Sequence, residues 1–398
     1  MFDELNKKLA NAVIPMFIML APYAILKQFY SVGLFICLLY SLFSVSFLKN
    51  DFVIPKSLLW FFLSFSGIYT INIIRNGDQS LGMINFIIGA ILTFFYIGSL
   101  IKYFEFERFY KTYKILCLVS CGLVIYQGIR LFFWGVPAVP INLLPVAEAD
   151  YNYWDFFKGE RPSGFFSEPQ AFCSFILPFF IFSLYRKEYL LSIFTFIAIL
   201  LSASTLGLGI SIIITVYFMF FEKERAKSSK IFIASGFFLI FGILAYFGML
   251  DTSVEKISKT PLENNIRLVR GFYIYSKFNP IDLFLGISSD LQKYVLSNVK
   301  ESWVSLYTSS GNERLLGYTT SFSGLLIQFG LPSFILYLMF LWKCFVNSSK
   351  DSKVLVLVTF ALCFVQTIIF NAWFVFYVSI ILGMLYEQKK IKFLTIRL

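Results

Sequence analysis

Apolar residues run along this chain in unbroken stretches of roughly twenty, with neither the two-residue alternation of barrel strands nor the one-sided stripe of a soluble helix. The stretches occupy residues 10–27, 29–48, 57–75, 82–101, 115–135 and 165–185, then 189–204, 206–221, 231–250, 319–341, 354–370 and 372–386. A helix of about 20 residues crosses a hydrocarbon layer about 30 Å thick, and only helices and closed barrels satisfy their own backbone there. The pattern predicts an all-α integral membrane protein with about 12 transmembrane helices. SASTLGLG (residues 202–209) interrupts 189–221 and FNAW (370–373) interrupts 354–386, so each segment is either a hairpin of short spans or one long helix. Regular alternation of the basic loops requires hairpins. No internal repeat or inverted pair of broken helices is visible, which argues against a transporter.

Polar positions set the orientation. Basic residues fall at every second boundary: Lys7 and Lys8; Lys49 and Lys56; Lys102, Arg108, Lys111 and Lys114; Arg186 and Lys187; Lys223, Arg225, Lys227 and Lys230; Lys343, Lys350 and Lys353; and Lys389, Lys390, Lys392 and Arg397. Positive loops stay in the cytoplasm, which places both termini there. The opposite side receives short turns and two longer loops. Loop 136–162 is acidic through Glu148, Asp150, Asp155 and Glu160, and loop 251–318 is the only long stretch that water solvates comfortably. The expected organisation is a single membrane domain. It has a nine-span region over 1–250 including loop 136–162, a large exterior loop over 251–318, and three C-terminal spans with a basic cytoplasmic tail over 319–398. The opening MFDELNKKLANAVIPMF lacks the small-residue cleavage site of a removed signal peptide and reads as a cytoplasmic lead-in.

Composition removes several function classes. With 58% hydrophobic and 14% charged residues and a mean hydropathy of +0.75, the chain carries more apolar surface than a soluble core buries. Its net charge of +11 lies mainly in the short loops, where it sets topology, so nucleic acid is not an expected partner. There is no histidine, which excludes an imidazole base and a zinc site of the usual kind. None of the cysteines (Cys37, Cys117, Cys121, Cys173, Cys344, Cys363) lies in the large loop, so no disulfide framework is expected there.

The stretch richest in chemistry is NNIRLVRGFYIYSKFNP (264–280). If it is helical, Arg267 and Arg270 share one face. Two guanidinium forks beside Tyr273 and Tyr275 suit a pyrophosphate or carboxylate next to a sugar, but the same pair on an amphipathic helix equally suits lipid headgroups. Tyr273 and Tyr275 either stack on sugar rings or simply pack. Lys277 and Arg314 lie nearby in sequence. In GERPSGFFSEPQAF (159–172), Arg161 stands just outside the sixth span, while Glu168 lies a few residues inside it, before Pro169. A carboxylate at that depth is costly. It serves either as a helix N-cap, with Pro169 in the first turn, or as a group that orients or deprotonates a hydroxyl or pairs with a loop arginine. Arg130, near the outer end of the fifth span, either snorkels to the interface or adds charge to the same outer cavity. Glu148 and Asp150 form an acid-x-acid pair of the type that some glycosyltransferases use for a metal. No oxygen-rich cluster accompanies it, and neither metal nor cofactor is expected.

Three patches and the architecture carry a family resemblance. RPSGFFSEPQAF (161–172) looks like the Arg-x-x-Gly-x-Phe-x-Glu/Asn-Pro stretch that opens a span in the bacterial O-antigen polymerase family (Wzy). NIRLVRGFYIYSKFNPIDLFLGIS (265–288) is similar to that family's pattern of arginine, aromatic region, Asn-Pro and Leu-x-Gly. TTSFSGLLIQFGLPSFILYL (319–338) resembles the span that closes its large loop, with Gly330 before a kinked turn. The family shares its overall organisation with O-antigen ligases.

The resemblance implies a metal-independent glycosyltransferase of lipopolysaccharide biosynthesis, multi-pass in the bacterial inner membrane. It would transfer a growing glycan from undecaprenyl pyrophosphate onto a new lipid-linked repeat unit at the periplasmic face. Donor and acceptor are both undecaprenyl-pyrophosphate-linked oligosaccharides, and membrane lipid, a chain-length regulator and a flippase are further partners. Arg267 and Arg270 then meet the donor pyrophosphate, Arg161 the second lipid pyrophosphate, and Glu168 the acceptor hydroxyl. Arg130, Tyr273, Tyr275, Lys277 and Arg314 are further substrate contacts. Many relatives carry a basic residue after the serine in the middle of the seventh or eighth span, where this chain has Ser204, Thr205 and Leu206. The related ligases rely on an exterior histidine, so its absence favours a polymerase over a ligase-like transferase. A flippase ranks behind both, since it needs basic residues in the middle of its spans, and these spans are almost free of Lys and Arg.

Overall fold

A helix that is apolar all round is covered by other helices or by lipid, and here two such helices are enclosed by the rest of the bundle. The computed structural model describes residues 2–25, 30–46, 52–76, 81–141, 143–144, 148–149, 161–222, 227–246, 269–288, 291–309, 311 and 316–396. The first half of the chain forms α1 (Phe2–Leu20), β1 (Tyr23–Ile25), β2 (Tyr30–Ser31), α2 (Val32–Ser46), β3 (Phe52–Pro55), α3 (Lys56–Asn76), α4 (Leu81–Ile101), α5 (Phe106–Trp134) and β4 (Glu148–Ala149). Then come α6 (Pro169–Tyr185), α7 (Tyr189–Leu201), α8 (Thr205–Phe221) and α9 (Lys227–Tyr246). Four short helices follow: α10 (Gly271–Ser276), α11 (Pro280–Leu285), α12 (Leu291–Asn298) and α13 (Ser302–Ser309). The chain closes with α14 (Ser321–Asn347), α15 (Lys350–Val365), α16 (Ala372–Glu387) and β5 (Phe393–Ile396).

The structure is helical apart from short strands, and every expected apolar stretch falls on one of α1–α9 and α14–α16. Among the described residues, Lys56–Arg75, Phe106–Trp134 and Ser321–Asn347 are long and apolar enough to cross a membrane. Both interrupted segments are broken. Residues 202–204 separate α7 from α8, with Ala203 at φ +50°, and residues 366–371 separate α15 from α16, with Phe370 at φ +61°. Each pair packs together. The first helix stops at Leu20, short of the expected residue 27, because Pro22 has no amide to continue the ladder. The strands were not anticipated: β1 pairs with β2 and β4, and β3 pairs with β5, which pins the C-terminal tail beside α3.

The enclosed helices are α6, buried from Phe172 to Leu184, and α16, buried from Phe374 to Leu385. Pro178 inside α6 has no N–H for the Ser174 carbonyl. The fully buried Tyr377 hydroxyl of α16 donates to that carbonyl instead, at 2.6 Å, and so locks the two central helices in register.

The two ends of the bundle differ chemically. At one end, ion pairs tie the loops together: Arg108 with Glu4 and Glu105, Lys7 with Glu105, and Arg186 bidentate on Glu107 at 2.6 and 3.0 Å. Lys350 meets the buried Glu222 at 3.2 Å, and the Glu387 carboxylate accepts the Phe106 amide at the start of α5. At the other end, helices α10–α13 form a cap with its own apolar core of Ile274, Phe278, Ile287, Leu291, Val295, Val304 and Leu316, seated on Ile327 of α14. The seat is a helix break. Gly330 (φ +64°, ψ −174°) opens α14 just before Pro332, so the Gln328 carbonyl loses its amide. The Ser288 amide and hydroxyl bond that carbonyl at 3.1 and 2.6 Å, and the Ile287 amide bonds the Ile327 carbonyl at 2.8 Å. A Cβ on Gly330 would lie 2.0 Å from the Phe284 carbonyl oxygen, so only glycine fits.

Two outcomes follow from this packing. Tyr377→Phe leaves the Ser174 carbonyl without its donor in apolar surroundings and is expected to cost about 1–3 kcal/mol, seen as a lower midpoint of thermal unfolding in detergent. The second concerns Glu188, between α6 and α7. Burial pushes its carboxyl up, but Lys114 at 2.9 Å, Tyr110 at 2.8 Å and the nearby Arg186 outweigh this and hold it below the ordinary value. Its contribution is complete above the ordinary glutamate pKa of about 4.3 and drains as pH falls through the lower folded value. Glu188→Gln should therefore lower stability at neutral pH, change it little at acid pH, and so flatten the acid limb of a stability-versus-pH curve.

Candidate functional site

The cap begins with a tight approach. Gly271 at the start of α10 lies against Ser323 of α14, where a Cβ would come within 2.2 Å of the Ser323 hydroxyl. The Thr320 and Ser323 side chains close a capping box that holds the α14 terminus. With α10 seated this way and Ile274 buried in the cap core, Arg270 points its side chain at α13. There, Trp303 and Tyr307 are four residues apart and share one helix face. The Arg270 Cζ lies 4.5 Å from the Trp303 ring centroid and 4.7 Å from that of Tyr307, and Nη2 donates to the Tyr307 hydroxyl at 3.3 Å. The residue is only 7% exposed, and its Nη1 has no hydrogen-bond partner. Among the described residues no carboxylate pairs with it. Arg75 presents the opposite case: its guanidinium meets Asp282 at 2.7 Å and the Gly286 carbonyl at 3.0 Å, tying α3 to α11.

Other expected residues of the loop serve the cap itself. The Tyr273 hydroxyl donates to Glu301, and Lys277 stands over the Tyr273 ring at 4.9 Å. The Tyr275 hydroxyl donates to the Leu283 carbonyl at 2.6 Å, and burial pushes its phenol up, so it stays a donor. Arg267 and Arg314 lie outside the described residues, as does Asp150. Glu148 lies on β4 and pairs with Ala24 of β1.

Glu168 stands at the start of the central helix α6, before Pro169 at its first turn, in extended backbone (φ −147°, ψ 153°). Its carbonyl accepts the Ala171 and Phe172 amides, but its carboxylate makes no cap hydrogen bond. Arg161 approaches the turn between α7 and α8, with Nη1 at 3.4 Å from the Ala203 carbonyl. A polar seam links the cap's seat to this region. The Ser321 amide and hydroxyl donate to the Gln366 carbonyl at 2.9 Å, and the Gln366 side chain donates to the Ser174 hydroxyl, one and a half turns below Glu168, at 3.0 Å. Arg270, Glu168 and Arg161 thus stand at the same end of the bundle, with no described contact joining Arg270 to Glu168. The Arg130 guanidinium lies over Tyr126 of its own helix, 5.5 Å from the ring centroid.

Sequence reasoning missed the residues that build this end. Gln127 accepts the Ser163 and Gly164 amides at 3.2 and 2.8 Å and donates to the Val139 carbonyl at 2.6 Å, clamping the approach to Glu168. Trp303 and Tyr307 carried a signal in their spacing; Arg75 and Asp282, 207 positions apart, carried none.

No family model, curated protein or solved structure matches the chain.

The contrast between the two arginines can be measured. Arg270→Met removes a charge that no acid among the described residues balances and should leave thermal stability unchanged or raise it. Arg75→Met strands Asp282 and should lower it, since breaking a partly buried pair leaves an uncompensated carboxylate.

Proposed function

We propose that this chain is an O-antigen, or surface polysaccharide, polymerase of the bacterial inner membrane. The observation that carries the reading is the buried guanidinium of Arg270 in a folded cap, held by aromatic rings with no carboxylate of the described residues beside it, at the same end of the bundle as Glu168. A pyrophosphate leaving group develops negative charge, and arginine meets it with a permanent cation and directional N–H groups without a metal. In this reading the twelve apolar helices are twelve spans. The ion-paired end, which carries the basic loops, faces the cytoplasm with both termini, and the cap faces the periplasm.

The acceptor is the new repeat unit on its own undecaprenyl pyrophosphate. Its hydroxyl oxygen attacks the anomeric carbon of the growing glycan. A glycosidic C–O bond forms, the bond from that carbon to the donor pyrophosphate breaks, and its electron pair leaves with undecaprenyl pyrophosphate. Glu168 receives the hydroxyl proton. Arg270, with Arg267 three positions before it, meets the donor pyrophosphate, and Arg161 meets the acceptor's lipid pyrophosphate. Arg130, Lys277 and Arg314 add positive charge, and Tyr273 and Tyr275 offer aromatic edges beside the sugar. A flippase and a chain-length regulator act beside it.

Gel separation of surface polysaccharide tests the proposal in a strain deleted for the protein and complemented with wild type, Arg270→Ala or Glu168→Ala. The expected result is loss of the long ladder with a single repeat unit still attached, restored by wild type and by neither well-expressed variant. Loss of the single unit as well points to export or ligation, and an unchanged ladder removes the polysaccharide reading.

A further inference from the structure

A buried cation is ordinarily balanced by an acid, yet Arg270 is held by rings. Aromatic faces stabilise a guanidinium through their quadrupole without cancelling its charge, so the cation keeps its full attraction for an anion. The rings are fixed as well as close. Between Trp303 and Tyr307 on α13, Val304 is buried in the cap core, and the Glu301 carbonyl accepts the Val304 amide at 3.0 Å where the helix begins. The Glu301 carboxylate accepts the Tyr273 hydroxyl from α10, which ties the helix bearing the rings to the helix that starts at Arg270. With Nη2 turned to Tyr307 and Gly271 pressed against α14, the orientation of the guanidinium plane is set by its neighbours, and Nη1 is left as the unmatched donor.

We infer that Trp303 and Tyr307 are positioning residues of an anion site in which Arg270 Nη1 receives an oxygen of a phosphate or pyrophosphate group. The inference rests on Arg270 being the donor-pyrophosphate contact proposed above. It adds that the affinity resides in the aromatic cradle as much as in the charge. A cation–π contact with a desolvated guanidinium is worth about 2 kcal/mol, so removing the indole should cost roughly tenfold or more in anion affinity at unchanged charge.

The test uses the full chain in lipid nanodiscs with inorganic pyrophosphate as probe, measured by calorimetry, and with thermal midpoints taken for each variant. Trp303→Leu and Arg270→Met should each weaken pyrophosphate at least about tenfold. Trp303→Phe should recover most of the affinity, and Tyr307→Phe, which keeps the ring and loses the hydroxyl, should weaken it only a few-fold. Wild-type affinity in Trp303→Leu, or no pyrophosphate binding by the wild type, overturns the inference. If Trp303→Leu fails to fold, Trp303→Phe and Tyr307→Phe still decide it, because equal tenfold losses in both contradict a cradle built of ring faces. Discs preloaded with undecaprenyl pyrophosphate identify the source of the anion: blocked binding assigns the site to the lipid headgroup, and unimpeded binding assigns it to a soluble phosphate. The two readings fail separately. Pyrophosphate affinity that follows the cradle, together with a full ladder in Trp303→Leu cells, leaves the site standing without the polymerase. A ladder that needs Arg270 while Trp303→Leu binds pyrophosphate normally leaves the polymerase without the cradle.

Discussion

The Gln328 carbonyl has no amide above it, because residue 332 is proline, and in an apolar bundle an unbonded carbonyl is costly. Ser288 satisfies it twice, and that bond seats the cap on the bundle. Around the same point, Asn72 donates to the Leu285 carbonyl and the Ser288 hydroxyl, and Arg75 reaches Asp282. One missing hydrogen bond in a long helix is thus repaired by the loop before it, and the repair fixes where Arg270 stands. The central helices use the same device, with Pro178 opening the Ser174 carbonyl to Tyr377.

Charge is handled in opposite ways at the two ends. In the ion-paired end, acids and bases from distant loops neutralise one another, and many of them are partly exposed, so their value lies in holding loops in register more than in stability. In the cap, Arg75 is paired and structural, whereas Arg270 is enclosed by aromatic rings with a donor left over. Glu168 occupies the cap position of α6 at the same end of the bundle and makes no side-chain cap hydrogen bond there.

The helices were legible in the sequence because burial in an apolar bundle demands continuous apolar runs, and SASTLGLG and FNAW marked two segments as interrupted, although the second break falls at 366–371, mostly before FNAW. The arginines and Glu168 stood out because ionisable groups are rare in such a chain. What Arg270 does with its charge was decided only in three dimensions. Its rings come from a helix more than thirty positions away, while the equally plausible Tyr273 and Tyr275 turn their hydroxyls into the cap frame. Hydropathy is a property of each residue and survives in the linear order. The pairing of Arg75 with Asp282, the seat of Ser288 on Gln328 and the clamp of Gln127 depend on which helix ends meet, and that is settled by packing between segments, which local composition does not encode.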